Sequence, residues 1–175
     1  MKKYFTPDWK INSIYFITAE ALLERGYRAI IVDLDNTLLA WDQEKHTQQM
    51  AEWLEGLALD GIKVYILSNN KLQRVAKVAE PLKIQFAANA MKPFLKSFKQ
   101  AVDYLAVPND EIVVIGDQLL TDVFGAKRFG LDAILVRPIA ANDIIYTKLN
   151  RVLEKVIFKF VGIDRHADWG VTLDD

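Results

Sequence analysis

Short runs of apolar residues recur along the chain at wide intervals, separated by segments of helical character. The runs are nearly all apolar instead of alternating, which is typical of strands buried on both faces of a parallel sheet. Because helical crossovers join such strands, the pattern predicts a three-layer α/β sandwich with a five-stranded parallel sheet. The predicted strands are residues 29–33 (AIIVD), 62–67 (IKVYIL), 84–87 (IQFA), 112–115 (IVVI) and 133–136 (AILV).

Capping residues between these strands predict the connecting helices. A helix that begins on an N-cap such as Asp or Thr, or on proline, and stops at glycine fits each of three intervals. Asp42 precedes the first helix and Gly61 ends it; Pro93 begins the second; Thr121 caps a third that stops before Gly130.

Both ends of the chain predict helices outside the core of about residues 28–140. Residues 9–25 predict a helical segment against the sheet, and 142–161 predict an amphipathic helix that begins after the N-cap Asn142. Along this second helix, basic residues form a stripe beside a stripe of apolar residues. The pattern favours either a helix that attaches to an anionic membrane or a helix that covers the sheet with its basic side in water. We expect the tail 162–175 to be loosely ordered. The basic stripe contains Lys148, Arg151, Lys155 and Lys159.

Composition excludes several classes of function. A chain of 175 residues, 51% of them hydrophobic, predicts one globular domain. It has no Cys, which excludes a disulfide framework, a Cys-ligated metal and a thiolate nucleophile, and its two His are too few for a metal cage. A net charge of −1 predicts no nucleic-acid binding. Because the N-terminal segment lacks the apolar core of a signal peptide, we expect a cytoplasmic protein, peripheral at the inner face of the membrane if the terminal helix attaches there.

Polar residues follow four of the five predicted strands at their carboxyl ends. In parallel α/β sheets this edge is where ligands bind, so these side chains are candidates for one shared site. They are Asp33, Asp35 and Thr37 after the first strand, Ser68 and Asn69 after the second, Lys92 beyond the third, and Asp117 and Asp122 after the fourth.

These residue types together favour phosphoryl transfer. Asp33 and Asp35 point to the same side of an extended chain and repel, so a hard divalent cation, Mg²⁺, is expected among them and the later acids. Mg²⁺ and Lys92 would let a phosphate dianion approach, and Ser68 adds a hydroxyl donor. One carboxylate of the pair can attack phosphorus, and the other can protonate the leaving oxygen.

The order of these motifs resembles the haloacid dehalogenase (HAD) superfamily of phosphohydrolases. The motifs are DLDNT at residues 33–37, an apolar strand that ends in Ser68, Lys92, and GDQLLTD at residues 116–122. The resemblance implies a Rossmann-like sheet with the first predicted strand at its centre. It also implies a phosphatase that acts through a phospho-aspartate and uses Mg²⁺.

The resemblance implies a role for each motif residue. Asp33 would be the nucleophile and Asp35 the general acid and base, with Lys92 as the third catalytic residue. Ser68, Asn69, Lys92 and Thr37 would bind phosphate, and Thr37 would also order the nucleophile loop. Mg²⁺ would be held by Asp33, the backbone carbonyl of Asp35 and Asp117, with Asp122 nearby.

The chain further resembles the YqeG-like group of subfamily IIIA, related to mitochondrial phosphatidylglycerophosphate phosphatases. The stretches DLDNTLL, SNNKLQRV, MKP, VIGDQLLTDV and RPIAANDIIYTKLNRVLEK carry this resemblance. The intervals between motifs leave no room for an inserted cap domain, so we expect an open, capless site. An open site suits a phosphoester whose bulk is anchored elsewhere, such as a lipid headgroup, a protein or a nucleic-acid end. Of these, we expect a phosphatidylglycerophosphate-type lipid as the substrate.

Other functions stay open at the level of sequence. One is a phosphatase for a small metabolite, a nucleotide or a phosphoprotein. A signalling receiver domain uses clustered Asp, a hydroxyl and a Lys on a similar sheet, but places its phospho-accepting Asp on a later strand than its acidic pair. A non-catalytic scaffold is disfavoured because every member of the motif set is present. The sequence does not indicate an oligomeric state.

Overall fold

Six parallel strands form one sheet in the computed structural model of the chain, which describes residues 2–140 and 148–173. The strands are β1 (Trp9–Ile11), β2 (Ala29–Val32), β3 (Lys63–Leu67), β4 (Gln85–Ala87), β5 (Ile112–Gly116) and β6 (Asp132–Val136). Their spatial order is β1-β6-β5-β2-β3-β4, so β2 and β5 lie side by side at the centre.

Helices cover both faces of the sheet and divide the core into two clusters. Side chains alternate across β2, so Ile30 and Val32 pack on one face and Ala29 and Ile31 on the other. The helices are α1 (Ala19–Glu24), α2 (Gln48–Leu59), α3 (Leu72–Ala79), α4 (Leu95–Leu105), α5 (Phe124–Phe129) and α6 (Lys148–Val161). The first face of the sheet packs against α1 to α3 and the second face against α4 to α6.

The expected α/β sandwich and its central strand are confirmed, but the strand count of five is wrong. The sixth strand is β1, which pairs in parallel with the outer edge of β6. The expectation of a helical segment over residues 9–25 holds only in part. Within it, the structure forms a 3₁₀ turn at Ile14–Phe16 and the helix α1. Pairing with β6 gives the backbone of Trp9–Ile11 hydrogen-bond partners that local sequence does not reveal.

Two helix starts also differ from the expectation. Helix α2 begins after Thr47 instead of Asp42, because the Thr47 hydroxyl accepts a hydrogen bond from the Met50 N–H at 3.1 Å. Thr121 is not a cap: it lies within a π-helical turn, Leu119–Val123, and its hydroxyl donates to Gln118. Gly130, with φ of 88°, ends α5 as predicted.

The C-terminal tail packs against the start of the fold, contrary to the expectation of loose order. The Asn12 N–H donates to the carbonyl of Gly170 at 3.0 Å, and the Arg137 guanidinium lies 4.9 Å from the centre of the buried Trp169 ring. Leu173 is only 2% exposed. The tail therefore fastens the end of β1 to the body of the protein.

The amphipathic C-terminal helix is present as α6, although its first part cannot be compared with the sequence. Residues 142–147, including the expected cap Asn142, lie outside the described residues, as do the side chains of Lys148 and Arg151. Lys155 and Lys159, the other two members of the basic stripe, are exposed. Within the described ranges, we find no helix that is both apolar and long enough to span a bilayer.

The packed tail predicts a measurable contribution to stability. Trp169→Ala removes a ring that is 7% exposed and whose indole N–H donates to the Asp164 carbonyl. We expect the free energy of unfolding in urea to fall by about 3–5 kcal/mol. The control Val171→Ala alters a tail residue that is 54% exposed and should change stability by less than about 0.5 kcal/mol. Equal stability of the two variants would show that the tail does not pack in solution.

Candidate active site

The site forms where the two central strands end at the same edge of the sheet. Because β2 and β5 are paired in parallel register, the residues that follow them, Asp33 and Asp117, emerge side by side. The Asp33 N–H donates to the carbonyl of Ile115 at 3.0 Å and extends this pairing by one residue. The backbone of Asp33 is therefore fixed by the centre of the sheet.

The loop after Asp33 is anchored by its apolar side chains. Leu34 and Leu38 are fully buried, and the N–H groups of Leu38 and Leu39 both donate to the Leu34 carbonyl. Asn36 turns the chain with φ of 64°, a conformation that Asn tolerates better than most residues. The loop consequently holds Asp33 and Asp35 on a rigid support.

Three buried carboxylates meet at this edge. Asp33, Asp117 and Asp122 each offer one oxygen atom, and these atoms lie within 4.8 Å of one another. The Thr37 hydroxyl donates to Asp117 at 3.3 Å and orients it. A set of carboxylate oxygens at this spacing fits a hard divalent cation. The side chain of Asp35 is outside this set.

Gly116 allows Asp122 to reach the cluster. Asp122 lies in the π-helical turn, where its carboxylate accepts a hydrogen bond from the Gln118 N–H at 3.1 Å. A Cβ at Gly116 would lie 2.2 Å from the Asp122 Oδ2 atom, which is far inside van der Waals contact. Glycine at the end of β5 is thus a steric requirement of the site.

Lys92 bridges two of the three carboxylates. Its Nζ lies 2.7 Å from Oδ1 of Asp33 and 2.7 Å from Oδ1 of Asp122, and its side chain is only 3% exposed. Asn69 fixes the backbone of Lys92: its amide donates to the Lys92 carbonyl at 3.1 Å and accepts from the Lys92 N–H at 2.6 Å. Ser68 is buried beside this contact, and its hydroxyl accepts from the Asn70 N–H.

Burial and like charge perturb the protonation of this cluster. Burial raises the pKa of Asp33 to about 7, Lys92 works against that rise, and Asp122 adds to it. Burial also acts to lower the pKa of Lys92, but Asp122 and Asp33 outweigh it, so the pKa of Lys92 lies above its ordinary value. The Lys92 ammonium group is thus in contact with two of the three carboxylates of the cluster.

The carboxylate of Asp35 has partners that sequence reasoning missed. Its Oδ2 accepts from the Asn70 amide at 2.9 Å, and its Oδ1 accepts from Nε and Nη2 of Arg74 at 3.2 and 3.0 Å. The position of these two residues in the sequence could have indicated them as partners of Asp35. Asn70 is the last residue of the SNN run after β3, and Arg74 follows four residues later on α3.

Apart from Asp35, the sequence-predicted residues therefore fall into two groups. Asp33, Lys92, Asp117 and Asp122 are in mutual contact or within coordination distance. Ser68, Thr37 and Asn69 surround them, and their hydrogen bonds in the structure go to Asn70, Asp117 and Lys92. The catalytic, metal-binding and phosphate-binding roles of all these residues stay predictions.

The site carries no inserted domain above it. Between Thr37 and Ser68 the chain forms only loops, α2 and β3, and between Ser68 and Lys92 it forms only α3, β4 and their connections. The expectation of a capless fold is confirmed.

Comparison with known proteins finds one similarity that covers part of the chain and one that covers nearly all of it. A family model described as HAD-hydrolase-like matches residues 89–138, which include Lys92, Asp117 and Asp122. The chain is 44% identical over 169 residues to the protein named "Probable phosphatase YqeG" of Bacillus subtilis (strain 168), covering 97% of this chain and 98% of that protein.

Two further similarities are shorter or concern the fold alone. The chain is 42% identical over 62 residues to 5-amino-6-(5-phospho-D-ribitylamino)uracil phosphatase YigB of Escherichia coli (strain K12), which is 35% of this chain and 26% of that protein. The cobalt-bound deoxy-D-mannose-octulosonate 8-phosphate phosphatase of Haemophilus influenzae superimposes with a TM-score of 0.51 at 16% identity, covering 81% and 92% of the two chains. This last similarity shows a shared fold.

The raised pKa of Asp33 predicts how stability depends on pH. A carboxyl group with a higher pKa in the folded state destabilises the fold as pH rises, here from 3.8 up to about 7. In chelator at pH 8, Asp33→Asn should therefore unfold at a higher temperature than the wild type, and this gain should shrink towards pH 4. Thermal unfolding across pH measures it, with the exposed Asp110→Asn as control. A variant no more stable than the wild type at pH 8 would contradict the prediction.

Proposed function

This chain belongs to the HAD-like phosphatases, and we propose that it is a Mg²⁺-dependent phosphomonoesterase that acts through a phospho-aspartate at Asp33. The observation that carries the proposal is the buried contact of Lys92 with Asp33 and Asp122 at the edge of an acidic cluster. It joins a candidate nucleophile, a cation for the phosphoryl group and oxygen ligands for a metal in one site.

The proposed reaction proceeds in two displacements. A carboxylate oxygen of Asp33 attacks phosphorus, the bond to the leaving oxygen breaks, and Asp35 gives that oxygen a proton. Water then attacks phosphorus and gives a proton back to Asp35, which releases phosphate and restores Asp33. Lys92 neutralises charge on the transferring phosphoryl oxygens, and Ser68 is a candidate donor to them.

The metal would be held by Asp33 and Asp117, with the backbone carbonyl of Asp35 and with Asp122 nearby. Mg²⁺ is proposed because every side-chain donor is a carboxylate oxygen. Bound there, Mg²⁺ would supply positive charge that offsets the repulsion between the carboxylates and an incoming phosphate. Thr37 and Asn69 would support the site by holding Asp117 and Lys92 in place.

For the substrate we propose a phosphatidylglycerophosphate-type lipid at an anionic membrane surface. Helix α6 packs against the turn that carries Asp122, and it exposes apolar residues beside basic ones on its outer face. Such a surface favours peripheral contact with anionic lipid, and a capless site can receive a headgroup that projects from a bilayer. The described residues that form this surface are Leu153, Lys155, Val156, Lys159 and Phe160.

A small soluble phosphoester is the second candidate substrate. It is favoured by the local similarity to YigB, whose name gives a phosphorylated ribityl compound as its substrate. Nucleotides and phosphoproteins belong to the same alternative, because a capless site would admit them as well. No observation among the described residues favours the receiver-domain alternative.

Substitution of the proposed catalytic groups should abolish or strongly lower turnover, and Asp33→Asn should leave the fold intact. We expect Asp33→Asn to remove hydrolysis of 4-nitrophenyl phosphate, and Lys92→Ala to lower kcat roughly 10²–10³-fold by loss of charge stabilisation. EDTA should remove the phosphatase activity of the wild type, and added Mg²⁺ should restore that activity. Steady-state kinetics measures turnover and circular dichroism measures the integrity of the fold, with Asp110→Asn as the control. Turnover retained by Asp33→Asn would reassign the nucleophile, and full activity in EDTA would refute the metal.

The lipid proposal predicts a preference that depends on the surface of α6. Phosphatidylglycerophosphate in anionic vesicles should be hydrolysed faster than soluble nucleotides and sugar phosphates. Val156→Ser combined with Phe160→Ser should lower the vesicle rate by roughly tenfold and leave 4-nitrophenyl phosphate hydrolysis unchanged. Leu59→Ser, at a residue that is 82% exposed on α2, is the matched control. Preference for a soluble phosphoester would favour the second candidate instead.

A further inference from the structure

The carboxylate of Asp35 is fixed by contacts that lie outside the acidic cluster. Nε and Nη2 of Arg74 donate to one oxygen of Asp35, and the amide of Asn70 donates to the other. The side chains of Asp35 and Arg74 are only 17% and 16% exposed. A shielded ion pair with several directional hydrogen bonds restricts the carboxylate far more than an exposed pair would.

The same guanidinium group also holds the loop that follows Asp35. Nη1 of Arg74 donates to the carbonyl of Gln43, and Nη2 lies 3.4 Å from the carbonyl of Ala40. All three guanidinium nitrogens are therefore engaged with Asp35 or with this loop. Lysine could not reproduce the arrangement, because it offers a point charge instead of a planar fork.

We propose that Arg74 is a positioning residue that fixes the side-chain orientation from which Asp35 exchanges its proton with the leaving alcohol and the attacking water. The inference rests on the proposed function, because it presupposes proton transfer by Asp35. Within the described residues, the hydrogen bonds of Arg74 go to Asp35, Ala40 and Gln43, so it acts on the reaction through Asp35.

A positioning role has a kinetic signature that a purely structural role lacks. Protonation of the leaving oxygen matters more for a basic leaving group such as phenolate than for 4-nitrophenolate, which departs readily without a proton. Loss of Arg74 should therefore show the leaving-group dependence that loss of the Asp35 proton shows. It should also add little once that proton is already absent.

The test compares four variants and the wild type on phenyl phosphate and 4-nitrophenyl phosphate. We expect Arg74→Ala to lower kcat/KM, which reports the displacement of the leaving group, roughly tenfold or more on phenyl phosphate and clearly less on 4-nitrophenyl phosphate. Arg74→Lys should be intermediate. In the Asp35→Asn background, Arg74→Ala should cause no further loss. Asp35→Asn alone is the fourth variant and the reference for the leaving-group dependence.

Lys77→Ala is the matched control. Lys77 lies on the same helix and pairs with Glu44 of the same loop at 2.5 Å, but its described ion pair does not involve Asp35. Both activities of this variant should equal those of the wild type, and its Tm should report any effect of loosening the loop alone.

Several outcomes would overturn the inference. An equal loss of kcat/KM on both substrates, or a loss that adds fully to that of Asp35→Asn, would make Arg74 a structural residue only. If Asp35→Asn slows phenyl phosphate and Arg74→Ala does not, the inference fails and the proposed function stands. If Asp35→Asn has no effect, the acid–base role within the proposed function fails together with the inference.

Discussion

The buried contact of one ammonium group with two carboxylates is the constraint on which the site depends. Lys92, Asp33 and Asp122 are each less than 10% exposed, and a buried charge without a partner costs several kcal/mol. Asp117 adds a third carboxylate at the same place. Lys92 is in contact with two of the three carboxylates, and the oxygen atoms of all three lie close enough together to hold a metal ion.

Much of the surrounding structure serves to hold these charges at their distances. Gly116 leaves the space that the Asp122 carboxylate occupies, and Asn69 clamps the backbone of Lys92 from both sides. Buried leucines anchor the loop between Asp33 and Thr37. These supports act through packing in the core and through hydrogen bonds to the backbone. Asp35, in contrast, depends on a side-chain clamp from α3.

The sequence predicted the fold well where burial dominates. The five strands with apolar runs agree with the structure within about one residue. Burial explains the runs of β2, β5 and β6, whereas β4 lies at the edge of the sheet and is only partly buried. Trp9–Ile11 escaped detection because only Ile11 is buried and the segment is held by pairing with β6. The tail escaped for a similar reason: its order comes from contacts of Trp169 and Gly170 with Arg137 and Asn12.

The sequence pattern alone predicted the sandwich and the gathering of Asp33, Lys92, Asp117 and Asp122, because each lies beyond a parallel strand and parallel strands end at a common edge. The central position of β2 was expected from the family resemblance. Only the tertiary structure decided which of these groups touch, that Thr37 and Asn69 contact Asp117 and Lys92, and that Arg74 binds Asp35. Those contacts join residues far apart in the chain through side-chain directions, and neither periodicity nor spacing encodes such directions.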